Sequence, residues 1–257
     1  CREAGTTYKG AFTLKVRWQV GDGEVEGFER NMGHIPIMVG SRLCNLRGLA
    51  GEELVRRKEE RHELGGYFVC NGNERLIRMI INQRRHFVVA LARDSYKKRG
   101  PVYTEFGAFI RCVRPDQTSV TVNCHYLKTG NVQFKFGVGK QEYFVPVGIL
   151  LKCFVDVTER ETFEALVGVA EEKHFSFFAD RAEIILREAT RRDVRSRADA
   201  LRFLGGHFRA VLDVPDDRLD AEVGQELIDR VVFVHLETNE ERYHLLVFMV
   251  QKLLALV

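Results

Sequence analysis

Gly65-Gly66-Tyr67-Phe68-Val69-Cys70-Asn71-Gly72-Asn73-Glu74-Arg75, followed by Leu76-Ile77-Arg78-Met79-Ile80-Ile81, decides how the first part of the chain folds. The paired glycines read as a helix stop. Tyr67 to Cys70 reads as a strand and Leu76 to Ile81 as its return. Asn71-Gly72 between them suits a tight turn that needs positive φ at both central positions. These glycines and the asparagine need no catalytic explanation.

Upstream, Phe12, Leu14, Val16, Trp18 and Val20 alternate with Thr13, Lys15, Arg17 and Gln19. A period of two predicts a half-buried strand. Gly21-Asp22-Gly23 supplies a turn, Val25 to Glu29 a hairpin return, and Ile35 to Val39 a short apolar strand. Glu52 to Leu64 is highly charged and predicts an exposed helix ending at Gly65-Gly66.

Downstream of Arg84 the pattern becomes β-rich. Strands are expected at His86 to Ala92, Phe106 to Val113, Ser119 to Leu127, Val132 to Phe136 and Glu142 to Val145, with Gly137 and Gly139 marking the last pair as a hairpin. After Pro146 the chain turns helical. Thr158 followed by Glu161 has capping-box spacing. Further helices are expected at Phe177 to Ala189, Ser196 to Phe208, Ala221 to Val232 and Asn239 to Val257, with a loop at Pro215-Asp216-Asp217. The class is therefore α+β, with a boundary near Arg84: residues 1–83, rich in β-hairpins, then 84–257, an antiparallel β part followed by a helical part.

The 257 residues are 45% hydrophobic and 29% charged, a globular balance. Net charge is only +3, from 39 basic and 36 acidic residues, so any nucleic-acid role must rest on local patches. Six cysteines are scattered without a C-x-x-C pair and read as reduced, mostly buried thiols of an intracellular protein. The apolar run Leu245 to Val257 is too short and too polar to span a bilayer. Both ends read as cut points, so the chain is expected to be a piece of something longer.

Familiar catalytic patterns are missing from the sequence. Gly139-Lys140 is followed by Gln141, which breaks a phosphate-binding loop, and Gly21-x-Gly23 lacks a third glycine. No H-E-x-x-H or G-x-S-x-G occurs among the 257 residues. Cys124 and His125 are strand neighbours on opposite faces and make poor co-ligands. The carboxylate pairs Glu52-Glu53, Glu59-Glu60 and Asp216-Asp217 read as solvated surface rather than a magnesium site.

Four basic clusters could meet phosphates: Arg75 with Arg78; Arg84-Arg85; Arg93 with Lys97-Lys98-Arg99; and Arg187, Arg191, Arg192, Arg195 and Arg197. The fourth is mixed with Glu183, Glu188 and Asp193 and reads better as a balanced solvated face. The candidate nucleic-acid-binding residues are therefore Arg75, Arg78, Arg84, Arg85, Lys97, Lys98 and Arg99, acting on phosphates without reading sequence. Tyr96 and Tyr103 are the only nearby rings, so single-strand stacking is not expected.

The Gly65–Arg75 stretch resembles the G-G-Y-F-[IV]-[IV]-N-G-x-E-[KR] signature of the second-largest, beta-like subunits of eukaryotic and archaeal RNA polymerases, with Cys70 as a departure where that family has Ile or Val. Gly33-His34-Ile35-Pro36-Ile37-Met38 resembles the same family's G-x-[IL]-P-I-M segment. Lys98 to Thr104 and Ile110 to Ser119 resemble the polymerase I form, its fungal version most, with polymerases II and III as alternatives. The final helix resembles the end of that family's lobe domain.

This resemblance implies the first part of a protrusion domain over 1–83 and a lobe domain over 84–257, both beside the DNA cleft. It implies nuclear and nucleolar transcription of ribosomal RNA genes. Implied partners are the largest subunit, a small zinc-ribbon subunit, a TFIIF-like heterodimer, and DNA in the assembled enzyme, with no membrane. The catalytic magnesium is implied to lie elsewhere and the zinc to belong to the partner, so no cofactor is expected in this chain. An autonomous nucleic-acid-binding module and a scaffold without DNA contact are the other readings.

Overall fold

The computed structural model describes residues 1–168, 170, 172–215 and 217–257. The chain forms two compact units, Cys1–Ile81 and Asn82–Val257, and its class is α+β.

In the first unit, β1 (Lys9–Trp18) pairs antiparallel with β2 (Glu26–Pro36), in register from Lys9↔Pro36 to Trp18↔Glu26 with an irregularity between Ala11 and Thr13. The return strand is one long element, not the two short ones expected at 25–29 and 35–39. It ends at Pro36: Ile37 N–H still donates to Tyr8 O at 3.0 Å, but Tyr8 N–H donates to Val69 O instead of returning the bond. The expected half-burial also fails: Trp18 is 41% and Phe28 49% exposed, their rings 6.0 Å apart. The unit's small core of Val39, Cys44 and Val69, with Tyr8, Ile37, Leu46 and Tyr67 against it, does not extend under this hairpin.

The expected helix over 52–64 is one short turn, α1 (Glu52–Arg56). Lys58 takes φ 62. Its N–H donates to Val55 O at 2.9 Å, and Glu59 N–H donates to Leu54 O at 3.0 Å. That is a Schellman closure with lysine where glycine is usual. Leu54 is the one buried residue of the helix, too little tertiary support for about two more turns.

Gly65 and Gly66, at φ 68 and 86, therefore do not cap that helix. They let the backbone cross Val39: a Cβ on Gly65 would sit 2.6 Å from Val39 O. β3 (Phe68–Cys70) and β4 (Asn73–Arg75) follow, joined by Asn71 at φ 51 and Gly72 at φ 79, the type I′ turn the sequence predicts. The expected strand over Leu76–Ile81 does not form. The segment has no strand partner among the described residues and is solvent-exposed, Met79 at 93% and Ile81 at 99%.

The second unit holds a five-stranded antiparallel sheet in sequential order: β5 (Val89–Ala92), β6 (Tyr103–Val113), β7 (Ser119–Leu127), β8 (Val132–Val138) and β9 (Gln141–Pro146). β5 starts later than expected because His86 takes φ 55 and leaves the extended region. A short helix α2 (Asp94–Lys97) precedes β6. The helices are α3 (Val147–Phe154), α4 (Glu159–Val167), α5 (Phe175–Thr190), α6 (Arg197–Leu212), α7 (Asp220–Val231) and α8 (Asn239–Leu254).

α3 is apolar along most of its length, and seven of its eight residues are buried. Capping boxes start α4 at Thr158, α6 at Ser196 and α8 at Thr238. Pro215 and Asp217 lie in the α6–α7 connection, while Asp216 is outside the described residues. The helices bury one face of the sheet. Ile110, Val122, Cys124, Phe134 and Phe136 point into this core, where Phe134 meets Phe233 at 5.6 Å and Phe136 meets Phe208 at 5.4 Å.

Candidate nucleic-acid interface

Alternation puts the neighbours of those core residues on the opposite, outer face of the sheet. Register aligns Phe109, Asn123, Lys135 and Phe144 in one row, and Gly107, His125 and Gln133 in the next. α2 lies over this face. Its Tyr96 packs onto Gly107, where a Cβ would sit 2.6 Å from Tyr96 Cε2. Tyr96 meets the His125 ring edge-on at 4.6 Å, and Tyr103 and Phe144 complete the cluster at 5.9 and 6.2 Å. His125 is fully buried and neither ring nitrogen has a hydrogen-bond partner. Burial, then Arg99 and Lys135, push its pKa down to about 4, so the ring is neutral.

This aromatic anchor fixes where Lys97, Lys98 and Arg99 emerge. Lys97 Nζ contacts Asp94 Oδ1 and Glu105 Oε2, each at 3.2 Å, and these two partners raise its pKa. Arg99 Nη1 donates to Glu142 Oε2 at 2.7 Å and lies 5.5 Å over the Phe144 ring. Lys135 also pairs with Glu142. Lys135 and Arg99 together hold the Glu142 carboxyl below its ordinary range. Two of the three basic side chains in this cluster are thus already compensated, while Lys98 is exposed and unpaired among the described residues.

Arg84 and Arg85 emerge elsewhere. Arg84 lies 5.3 Å from the Phe87 ring centre. Arg85 Nη1 donates to Gln117 Oε1 at 2.9 Å, and its backbone bridges to Arg111. Arg93 N–H, beside α2, donates to Glu105 O at the far end of β6. Six residues of strand separate those levels, about 20 Å, so the two clusters are not one compact site. Arg75 in β4 and Arg78 in the exposed segment belong to the first unit. Both are exposed and neither forms an ion pair among the described residues.

The fourth basic cluster is largely balanced. Arg187 pairs with Glu183, Arg192 with Glu188 at 2.9 Å and Arg195 with Asp193 at 3.7 Å; Arg197 donates to Cys153 O at 3.0 Å. Sequence reasoning missed Arg111, which sits in a strand outside any basic run. Its place between the fully buried Ile110 and Cys112 was the available signal.

No group of three or more His, Cys, Asp or Glu side chains able to hold a metal occurs among the described residues. Burial pushes the Cys112 thiol up to about 12, and Cys124 and Cys153 also rise; these are not reactive thiolates. No described helix is long and apolar enough to cross a membrane. The second unit therefore offers a rigid sheet face carrying arginines and lysines.

A family model described as RNA polymerase beta subunit matches residues 1–237. The whole chain aligns at 45% identity over 260 residues with DNA-directed RNA polymerase I subunit RPA2 of Eremothecium gossypii. It aligns at 43% over 261 residues with DNA-directed RNA polymerase I subunit RPA135 of Saccharomyces cerevisiae, and at 36% over 256 residues with DNA-directed RNA polymerase I subunit RPA2 of Homo sapiens. The chain spans 22% of the length of each of these relatives. With the model matched across both units and similarity running the full 257 residues, the chain belongs to the RNA polymerase beta subunit family.

Proposed function

We propose that the chain is part of the second-largest subunit of RNA polymerase I and works in the nucleus, within the nucleolus, in transcription of ribosomal RNA genes. The observation that carries this is the full-length similarity to relatives named as polymerase I subunits, fungal and mammalian alike. Residues 1–83 are the start of a protrusion domain and 84–257 a lobe. Their role is to form part of the DNA-cleft wall, beside the largest subunit, and to hold peripheral subunits: a zinc-ribbon small subunit and a TFIIF-like heterodimer. Nucleotidyl transfer belongs to the assembled enzyme, with magnesium and zinc held by other parts of it.

The reading predicts that the chain alone captures the zinc-ribbon subunit and synthesises no RNA. Measurable RNA synthesis by the chain alone would overturn it. A scaffold without DNA contact is favoured by the ion pairs that already occupy Lys97 and Arg99. Charge reversal of Arg84, Arg85, Lys97 and Lys98 in the assembled polymerase separates the two: unchanged DNA affinity and elongation selects the scaffold.

A further inference from the structure

The outer face of the sheet divides into two electrostatic halves. On the β8–β9 side Lys135 and Arg99 share Glu142. Along β5 and β6 the Glu105 carboxylate is taken by Lys97, while Arg84, Arg85, Arg93 and Arg111 form no ion pair among the described residues. Arg93 lays its guanidinium 5.9 Å from the Phe109 ring centre, which places it on the outer face. Arg111 lies two residues beyond Phe109 on the same face, and the Arg85 backbone bridges to Arg111.

We infer that Arg93 and Arg111, in line with Arg85, form a nucleic-acid backbone track along the outer edge of this sheet. This rests on the reading of the chain as a nucleic-acid-facing part of a polymerase. The backbones of Arg93, at the Glu105 level, and Arg111 are six strand residues apart, about 20 Å. A duplex strand carries one phosphate per about 3.4 Å of axis, so the two ends of such a row stand roughly six phosphates apart. Guanidinium groups suit that task because they bind phosphate oxygens in pairs and are weakly hydrated. Arg111 sits in β6, which is held between β5 and β7, so its backbone is fixed before the ligand arrives. Its other same-face neighbours, Thr121 and Asn123, are short, neutral donors.

The test is fluorescence anisotropy of a DNA duplex with the whole chain, titrated between about 50 and 200 mM salt. Three variants are compared: R93Q/R111Q, R93K/R111K and K97Q/K98Q, each checked for native circular dichroism. Loss of two phosphate contacts makes the plot of log affinity against log salt shallower by about 1.8. The expected result is that shallower slope in R93Q/R111Q, with the wild-type slope kept in R93K/R111K. A wild-type slope in R93Q/R111Q overturns the track. If K97Q/K98Q takes the loss instead, nucleic-acid contact stands and only its assignment to this row falls. If polyglutamate binds the wild type and the duplex does not, an acidic polypeptide is the partner, and both the track and DNA contact by this chain fall.

Discussion

Gly205 and Gly206 are neighbours in the interior of α6, and replacing each by alanine should have opposite effects. A Cβ on Gly206 finds only Asp220 Oδ2 at 3.7 Å, and the residue is exposed. There, alanine recovers the helix propensity that glycine lacks, about 1 kcal/mol of added stability. A Cβ on Gly205 overlaps the Asp220 carbonyl oxygen and lies 2.9 Å from Asp220 Cα. Ordinary contact of about 3.5 Å requires α7 to retreat by at least ~0.6 Å at Cα, and further at the oxygen. Gly224 meets Leu201 backbone from the other side, so α7 cannot pivot without disturbing that second close approach. Overpacking of this kind costs about 3 kcal/mol at the upper end of the usual range. Subtracting the propensity gain leaves Gly205→Ala less stable by about 2 kcal/mol. Urea denaturation followed by far-UV circular dichroism measures the difference between the two variants, expected near 3 kcal/mol. Trp18, the single tryptophan, lies in the first unit, so its fluorescence does not report on α6. Equal shifts of the same sign in both variants would refute the claim that α6 and α7 are set by close backbone packing at Gly205.

His125 has a pKa lowered to about 4 by burial and then by Arg99 and Lys135. An unfolded histidine titrates near 6.5, so its contribution is complete above about 6.5 and lost as pH falls to about 4, by up to ~3 kcal/mol. His125→Leu should flatten that part of the stability–pH profile; parallel profiles for wild type and variant would contradict it. Thr238→Ala removes the side chain that accepts from Glu241 N–H at the start of α8 and should lower the urea midpoint by the equivalent of about 1 kcal/mol. Lys58→Gly relieves the positive φ that closes α1 and should stabilise that turn by about 1 kcal/mol, read as slower hydrogen exchange at the amide of Glu59, which donates to Leu54 O.

Much of the second unit was legible because its signals are local. β7 runs Ser119–Leu127 as its alternation predicts, and Thr158 caps α4 as its spacing predicts. The Asn71-Gly72 turn was legible for the same reason: positive φ is a property of two residues. What escaped depends on distant partners. The alternation of β1 describes a face that wants covering, but cannot say whether anything covers it. Charge alone cannot give a helix its length, so 52–64 shrank to one turn held by Leu54. In the candidate interface, the basic run at Lys97–Arg99 was visible, but the pairing of Arg99 with Glu142, 43 residues away, was not. Arg111 was hidden because cluster-seeking looks along the sequence, whereas a sheet gathers charge across it.

The uncovered segment Leu76–Ile81 has a second meaning. It is a short, β-prone, apolar run without proline or glycine, the kind of stretch that seeds intermolecular cross-β stacking. Arg75, Arg78, Arg84 and Arg85 stand before, within and after it, all exposed. Flanking charges of that sort act as gatekeepers that keep identical segments from stacking. Whatever these four arginines do toward phosphates, they also set the colloidal behaviour of the chain, and their neutralisation would show first as turbidity.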